Sequence, residues 1–222
     1  MEARVENWFP TQTLIVDAAQ LLPAARDMFA KTDFLSLDCK PYSYTNGFTT
    51  YHHNPFARFV QHPSARDFFT VFESAANVFG QSQGIDLNTH SACVTAVWIS
   101  RINKGGSHLR HVHGDSHMSG TMYVDAPSGA SPIRFHSPVT TVMRFCPLPT
   151  AVKGNKATAE YVDYEPTPGR LLLWDGWLEH EVPLNPAEGN RDSISFNIVF
   201  KEKNELQLQN AKLPPLMRQL RR

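Results

Sequence analysis

The chain has 222 residues, of which 41% are hydrophobic and 19% charged, proportions that suit a soluble globular protein able to build one sizeable core. Lys plus Arg and Asp plus Glu each number 21, so no net field draws it to nucleic acid or to an anionic membrane. Cys39, Cys93 and Cys146 are odd in number and far apart, which excludes a disulfide scaffold or a zinc knuckle and fits a reducing, cytoplasmic setting. The opening MEARVENWFP has no basic stretch followed by an apolar one, so it does not read as a signal peptide. No apolar run approaches the length needed to cross a bilayer. Thr11 to Val16 then reads as a short strand, and Asp17 is placed to cap a helix through AAQLLPAARDMFAK, with Pro23 in its first turn. The stretch from Ser36 to Tyr51 and the pair His52-His53 read as surface loop, with the alternative that its tyrosines and the two histidines reach a site. Pro63 opens a second helix, whose stripe of Phe68, Phe72, Ala75, Ala76 and Phe79 is expected to pack on a sheet and to end at Gly80.

From Ser91 the hydrophobic period changes from helical to alternating. Ala92 to Ile102 reads as a strand closed by a turn at Lys104-Gly105-Gly106. Ser119 to Val124, Ile133 to Phe135, Glu160 to Glu165, Arg170 to Trp174 and Asp192 to Phe200 follow as short strands. Pro147 to Ala159 reads as loop, and Lys201 to Arg222 as a loose basic tail. Many short strands between turns predict a mainly β fold, a sandwich or barrel with flanking helices. No repeat or low-complexity block divides the chain, so residues 1–222 are expected to form a single domain. It has a helical flank and leading strand over 1–90, a core over 91–200 and a tail over 201–222.

The chemistry concentrates in HLRHVHGDSHMSGTMYV, from His108 to Val124. Here His113-Gly114-Asp115 forms an H-x-D triplet, and on an extended chain both side chains would share one face. His180, in WDGWLEHEV, is the best third ligand. Two histidines and a carboxylate on one face of an octahedron make the facial triad of non-haem Fe(II) oxygenases. Eleven residues on, Arg191 and Ser193 share a face of a strand and offer a planar fork and a hydroxyl, which suits a distal carboxylate. His111 and His113 are also two apart, so His111 stays open as a rival ligand. His108 and His117 read as structural or solvent-facing, Arg134, His136 and Arg144 equally as surface residues or as facing the substrate, and Trp174 and Trp177 as core or pocket wall.

This constellation resembles the 2-oxoglutarate/Fe(II)-dependent oxygenase superfamily, and in particular a small branch reading W-x-N…H-x-H-P-N-S…S-G-x-x-Y, then G-x-L…W-x-x-H-x-V and R-x-S-x-S-F-N. The chain carries Trp98, His111, His113, Ser116, Ser119, Gly120 and Tyr123, then Gly169, Leu171, Trp177, His180, Val182, Arg191, Ser193, Ser195, Phe196 and Asn197. It departs in having Asp115 where the branch often has Asn, Gly114 where it has Pro, and Ser100 where it has Asn. The resemblance implies a double-stranded β-helix core (jelly-roll, cupin-like). It further implies Fe(II) held by His113, Asp115 and His180, with 2-oxoglutarate and O2 as co-substrates. Arg191 and Ser193 would grip the far carboxylate, with Tyr123 adding a phenol contact. The implied reaction oxidises a C–H bond, by hydroxylation, and releases succinate and CO2. The substrate would be a small molecule or a peptide, with no nucleic acid or membrane partner; homo-oligomerisation is left open. Two other readings stand beside this one. A keto-acid-independent cupin-type metalloenzyme would use His111, His113 and His180 as three neutral ligands, and a barrel-fold binding protein would perform no turnover.

Overall fold

A computed structural model of the chain describes residues 3–4, 9–33, 43–51, 59–139 and 159–205. Along the chain run β1 (Thr13–Asp17), α1 (Leu22–Ala30), β2 (Tyr44–Thr49), α2 (Ala65–Ser82), β3 (His90–His111) and β4 (Met118–Asp125). After them come β5 (Ile133–His136), β6 (Tyr161–Tyr164), β7 (Arg170–Asp175), β8 (His180–Val182) and β9 (Arg191–Glu202). The strands make one antiparallel sheet in the order β1-β7-β4-β9-β3-β8-β5-β6, with β2 also paired to β3. The sheet curls on itself as a double-stranded β-helix. Strand β3 makes this possible: its first half pairs with β9 and its second half with β2 and β8, so it passes from one wall to the other.

Alternation along the central strands separates two cores. Met122, Leu171, Leu173, Ile194, Phe196 and Ile198 belong to the cluster that also holds Phe68, Phe72 and Phe79 of α2 and Phe29 of α1. Tyr123, Ile133, Phe135, Leu172, Trp174 and Leu178 fill the inside of the barrel. Both faces of β4 are therefore buried, and its inward residues Ser119, Thr121 and Tyr123 are free to build a site. Phe72 stacks on Phe196 with ring centroids 3.9 Å apart and planes 6° off parallel. Phe196→Ala is expected to cost about 3–5 kcal/mol of stability, read as a lower midpoint in urea unfolding with the slope unchanged.

The helices agree with the sequence reading in kind, with shifted ends. Asp17 accepts the Ala19 N–H at 2.9 Å, ahead of a short 3-10 turn, and Pro23 lies in the first turn of α1. Gly80 does not end α2. It is buried in the helix, where a Cβ would stand 2.5 Å from the Phe200 ring, so the glycine permits close packing rather than capping.

Two strands differ from expectation. Residues 44–49, read as loop, form β2, because the second half of β3 offers an open edge that this segment pairs with. Lys104-Gly105-Gly106 does not end β3 but bends it. The Gly105 N–H donates to the Asn185 carbonyl (2.7 Å) and the Asn185 N–H to the Gly106 carbonyl (2.7 Å), so the chain continues to His111. The expectations for His52-His53, for Arg144 and most of Pro147 to Ala159, and for the tail beyond residue 205 fall outside the described residues.

Candidate metal and co-substrate site

Inside the barrel, the second half of β3 lies against β8, with His108 opposite Val182 and His111 opposite His180. An ion pair between Arg110 and Glu179 ties the same two segments together. Two imidazoles thus meet by strand register. His113 joins them from the loop after β3, its ring centroid 5.1 Å from that of His111 and 5.3 Å from that of His180. The ligand nitrogens of His111, His113 and His180 lie within 4.8 Å of one another, and this is the group among the described residues able to hold a metal ion.

The hydrogen bonds set up two of these rings for coordination. His111 Nδ1 lies 2.7 Å from the Leu109 carbonyl and His180 Nδ1 lies 2.9 Å from the Leu178 carbonyl. A carbonyl only accepts, so each Nδ1 carries the proton and each Nε2 keeps its lone pair. Burial keeps the rings neutral. It lowers His180 well below the usual imidazole range, lowers His111, and together with His111 holds His113 down to about 4, against the pull of Asp115. Three neutral nitrogens converging on one point fit a divalent cation and leave further positions open.

Asp115 stands outside this group. The same-face argument for His113 and Asp115 requires an extended chain, and here the chain turns at Gly114-Asp115, where the Ser116 N–H reaches back to the His113 carbonyl at 3.3 Å. The turn leaves Asp115 exposed. His111, weighed only as a rival in the sequence, takes the third place in the group.

The other end of the pocket is cationic. Arg191 is only 3% exposed; its Nε donates to the Ser131 carbonyl at 3.0 Å and its guanidinium carbon lies 4.9 Å from the centre of the Tyr123 ring. No carboxylate pairs with it among the described residues. The Tyr123 hydroxyl is buried without a hydrogen-bond partner, and burial raises the phenol above its ordinary range while Arg191 opposes that shift. Ser193 sits between Tyr123 on β4 and Ser100 on β3 in the strand register. An unpaired buried cation beside an orphaned hydroxyl is the complement of a carboxylate. Arg191 and Ser193 line the cavity, and Tyr123 adjoins both.

Between the two ends lie Tyr44 and His108, stacked with centroids 3.9 Å apart, and the Tyr44 hydroxyl is 3.1 Å from Ser100 Oγ. Both line the same cavity as the histidines and Arg191. Burial lowers His108 well below the usual imidazole range and raises Tyr44. Tyr44 lies in a stretch that reads as surface loop with its tyrosines as candidates to reach a site, and His108 reads as a structural or solvent-facing histidine. His117 has a structural task, since its Nδ1 accepts the Phe200 N–H at 3.0 Å. Arg134 pairs with Asp163 at 2.8 Å, and His136 lies 3.2 Å from Glu181.

Residues 96–197 match a family model described as "Putative 2OG-Fe(II) oxygenase". Over that stretch, somewhat less than half of the 222 residues, the chain is similar to the 2-oxoglutarate/Fe(II) oxygenases, and its curled β fold agrees with that likeness. It is accordingly an oxidoreductase, with Fe(II) as metal and 2-oxoglutarate and O2 as co-substrates. The fold is similar to that of a prolyl-4-hydroxylase from Pseudomonas putida, with 15% identity, 85% of this chain and 92% of that chain covered, and a TM-score of 0.54. HygX from Streptomyces hygroscopicus, solved with nickel, 2-oxoglutarate and hygromycin B, is 11% identical over 85% of this oxygenase and 82% of that chain, with a TM-score of 0.53. The viral collagen prolyl hydroxylase vCPH from Paramecium Bursaria Chlorella virus-1, in complex with 2-oxoglutarate, is 12% identical over 84% and 94% of the two chains, with a TM-score of 0.52. At these identities the likeness is one of fold. No curated protein sequence matches this one. No helix among the described residues is long and apolar enough to cross a membrane.

Proposed function

We propose that this oxygenase oxidises a C–H bond of a small-molecule or peptide substrate, by hydroxylation, and releases succinate and CO2. The observation that carries this reading is the pairing, in one cavity, of three converging neutral histidines with a buried arginine that has no counter-ion among the described residues. His111, His113 and His180 would hold the metal through their free ring nitrogens. Arg191 would take the far carboxylate of 2-oxoglutarate on its fork, with Tyr123 donating its unused phenol proton and Ser193 its hydroxyl. Fe(II) held there, with 2-oxoglutarate and O2, would supply the oxidising power, while the residues above would hold and shield it.

The remaining residues shape and dry the site. Trp174 stands edge-on to His180 at 4.9 Å, and Trp98 lies 5.8 Å from His113, so indoles wall the histidine end. Such a wall keeps water away from the reacting centre. Three histidines alone would also suit a metalloenzyme that uses no keto acid. Arg191 favours the oxygenase reading, because an enzyme without a dicarboxylate has no reason to bury an unpaired guanidinium at several kcal/mol of cost. One protein of similar fold is a prolyl-4-hydroxylase and another, HygX, binds hygromycin B, which supports a substrate that is a small molecule or a peptide. The expected result is succinate formation from 2-oxoglutarate that requires Fe(II) and O2, measured by mass spectrometry and stimulated by pools of amino acids, peptides or metabolites containing the substrate. Consumption of O2 with no change in 2-oxoglutarate would support the keto-acid-independent class instead.

A further inference from the structure

Ser116, Ser119 and Asn197 are motif residues that neither the metal nor the co-substrate chemistry uses. Of the three grouped histidines, His113 alone lies outside a strand, and its ring has no hydrogen-bond partner among the described residues. Rings of Trp98, His111 and His180 pack around it, and the hydrogen bonds that place it run through its backbone. The His113 N–H donates to the Gly176 carbonyl at 2.8 Å. The His113 carbonyl accepts from the Ser116 N–H at 3.3 Å and from the Ser116 hydroxyl at 3.2 Å. That hydroxyl lies 3.3 Å from Ser119 Oγ, a packing contact, since the Ser116 proton is on the His113 carbonyl and Ser119 donates its own to Asn197 Oδ1 at 2.9 Å. Ser119 and Asn197 are 1% and 2% exposed and belong to the central strands β4 and β9. Gly176 closes the arrangement from the other side: a Cβ there would stand 2.2 Å from the Ser116 carbonyl oxygen and 2.7 Å from that of His113. The turn is thus pressed onto the connection that leads to His180.

We propose that Ser116, backed by Ser119 and Asn197, is a positioning residue that fixes where His113 presents its ring to the metal. The inference rests on the metal reading above, and it gives a task to three motif residues that otherwise have none. Removing the Ser116 hydroxyl leaves the His113 carbonyl to the Ser116 N–H alone and opens a gap against Ser119. Outer partners that orient a ligand typically change metal affinity about 10–100-fold, and here the hold is on the backbone rather than the ring, so the lower end is expected.

The test uses the full chain with Co(II) as probe, following its visible spectrum and dissociation constant without 2-oxoglutarate, beside the thermal midpoint of the metal-free protein. Ser116→Ala should weaken Co(II) about 10-fold and alter the spectrum, with the metal-free midpoint close to wild type. Ser116→Thr keeps the hydroxyl on a half-buried site and should restore both affinity and spectrum. Gly176→Ala, which pushes on the same turn, should weaken Co(II) as well. Wild-type Co(II) affinity and spectrum in Ser116→Ala would overturn the proposal, as would equal weakness of the Ala and Thr variants. A wild-type protein that binds no Co(II) is a separate result: it refutes the metal reading and this inference with it.

Discussion

Arg191→Ala raises the dissociation constant for 2-oxoglutarate by about two to three orders of magnitude while leaving metal affinity nearly unchanged. The size follows from burial. Breaking a buried ion pair by removing one partner costs about 3–5 kcal/mol, and each 1.4 kcal/mol is about tenfold in affinity. Arg191 is 3% exposed and held in place by the Ser131 carbonyl and the Tyr123 ring. Its fork is therefore pre-aimed, and little ordering is needed when a carboxylate arrives. Arg191→Lys keeps the charge and loses the planar fork, so it should fall between wild type and Ala. Ser193→Ala and Tyr123→Phe each remove one neutral hydroxyl and should cost about 0.5–1.5 kcal/mol. Calorimetry with the Mn(II)-loaded protein under anaerobic conditions reads all four. Normal 2-oxoglutarate binding by Arg191→Ala would leave the enzyme class intact and show that another group anchors the carboxylate.

The second large effect separates the two ligand sets. His111→Ala should weaken Mn(II) or Fe(II) by at least about 100-fold, more than the loss of an orienting partner alone, because one of three converging nitrogens disappears. Asp115→Ala should change metal affinity by no more than about fivefold, the worth of an exposed charge contributing about 1 kcal/mol. Its carboxylate lies in the exposed turn after His113, outside the group of three histidines. Calorimetric titration of the metal-free variants decides the matter. A collapse of metal binding in Asp115→Ala, with His111→Ala unaffected, would return the centre to two histidines and one carboxylate.

The legibility of the sequence differs between these two ends for a physical reason. Arg191 and Ser193 lie within a regular strand, where a spacing of two fixes a shared face, and the structure places both inside the barrel with Tyr123 across the register. His113 and Asp115 have the same spacing, but Gly114-Asp115 turns, and periodicity has no meaning across a turn. His111 meets His180 through a strand pairing between residues 69 apart in the chain, and no local pattern records such a pairing. Tyr44 was hidden for a related cause. The segment 44–49 has weak strand character of its own and becomes a strand because β3 presents an edge to it. The α2 stripe was read correctly, since an amphipathic helix carries its packing face in its own sequence. Gly80 was read as a stop because glycine favours helix ends, and only the approach of Phe200 reveals its packing role.

In the proposed enzyme, one cavity binds a metal at its histidine end and 2-oxoglutarate across to Arg191. The most direct measurement is an anaerobic calorimetric titration of 2-oxoglutarate into the wild-type chain, Mn(II)-loaded and metal-free, with succinate as a control ligand. The account predicts tight binding to the loaded protein and much weaker binding without metal, since the keto-acid chelate is lost while the Arg191 contact remains. Succinate, which has the carboxylates but no keto oxygen, should bind weakly in both states. A loaded protein that binds metal yet shows no affinity for 2-oxoglutarate would contradict the account.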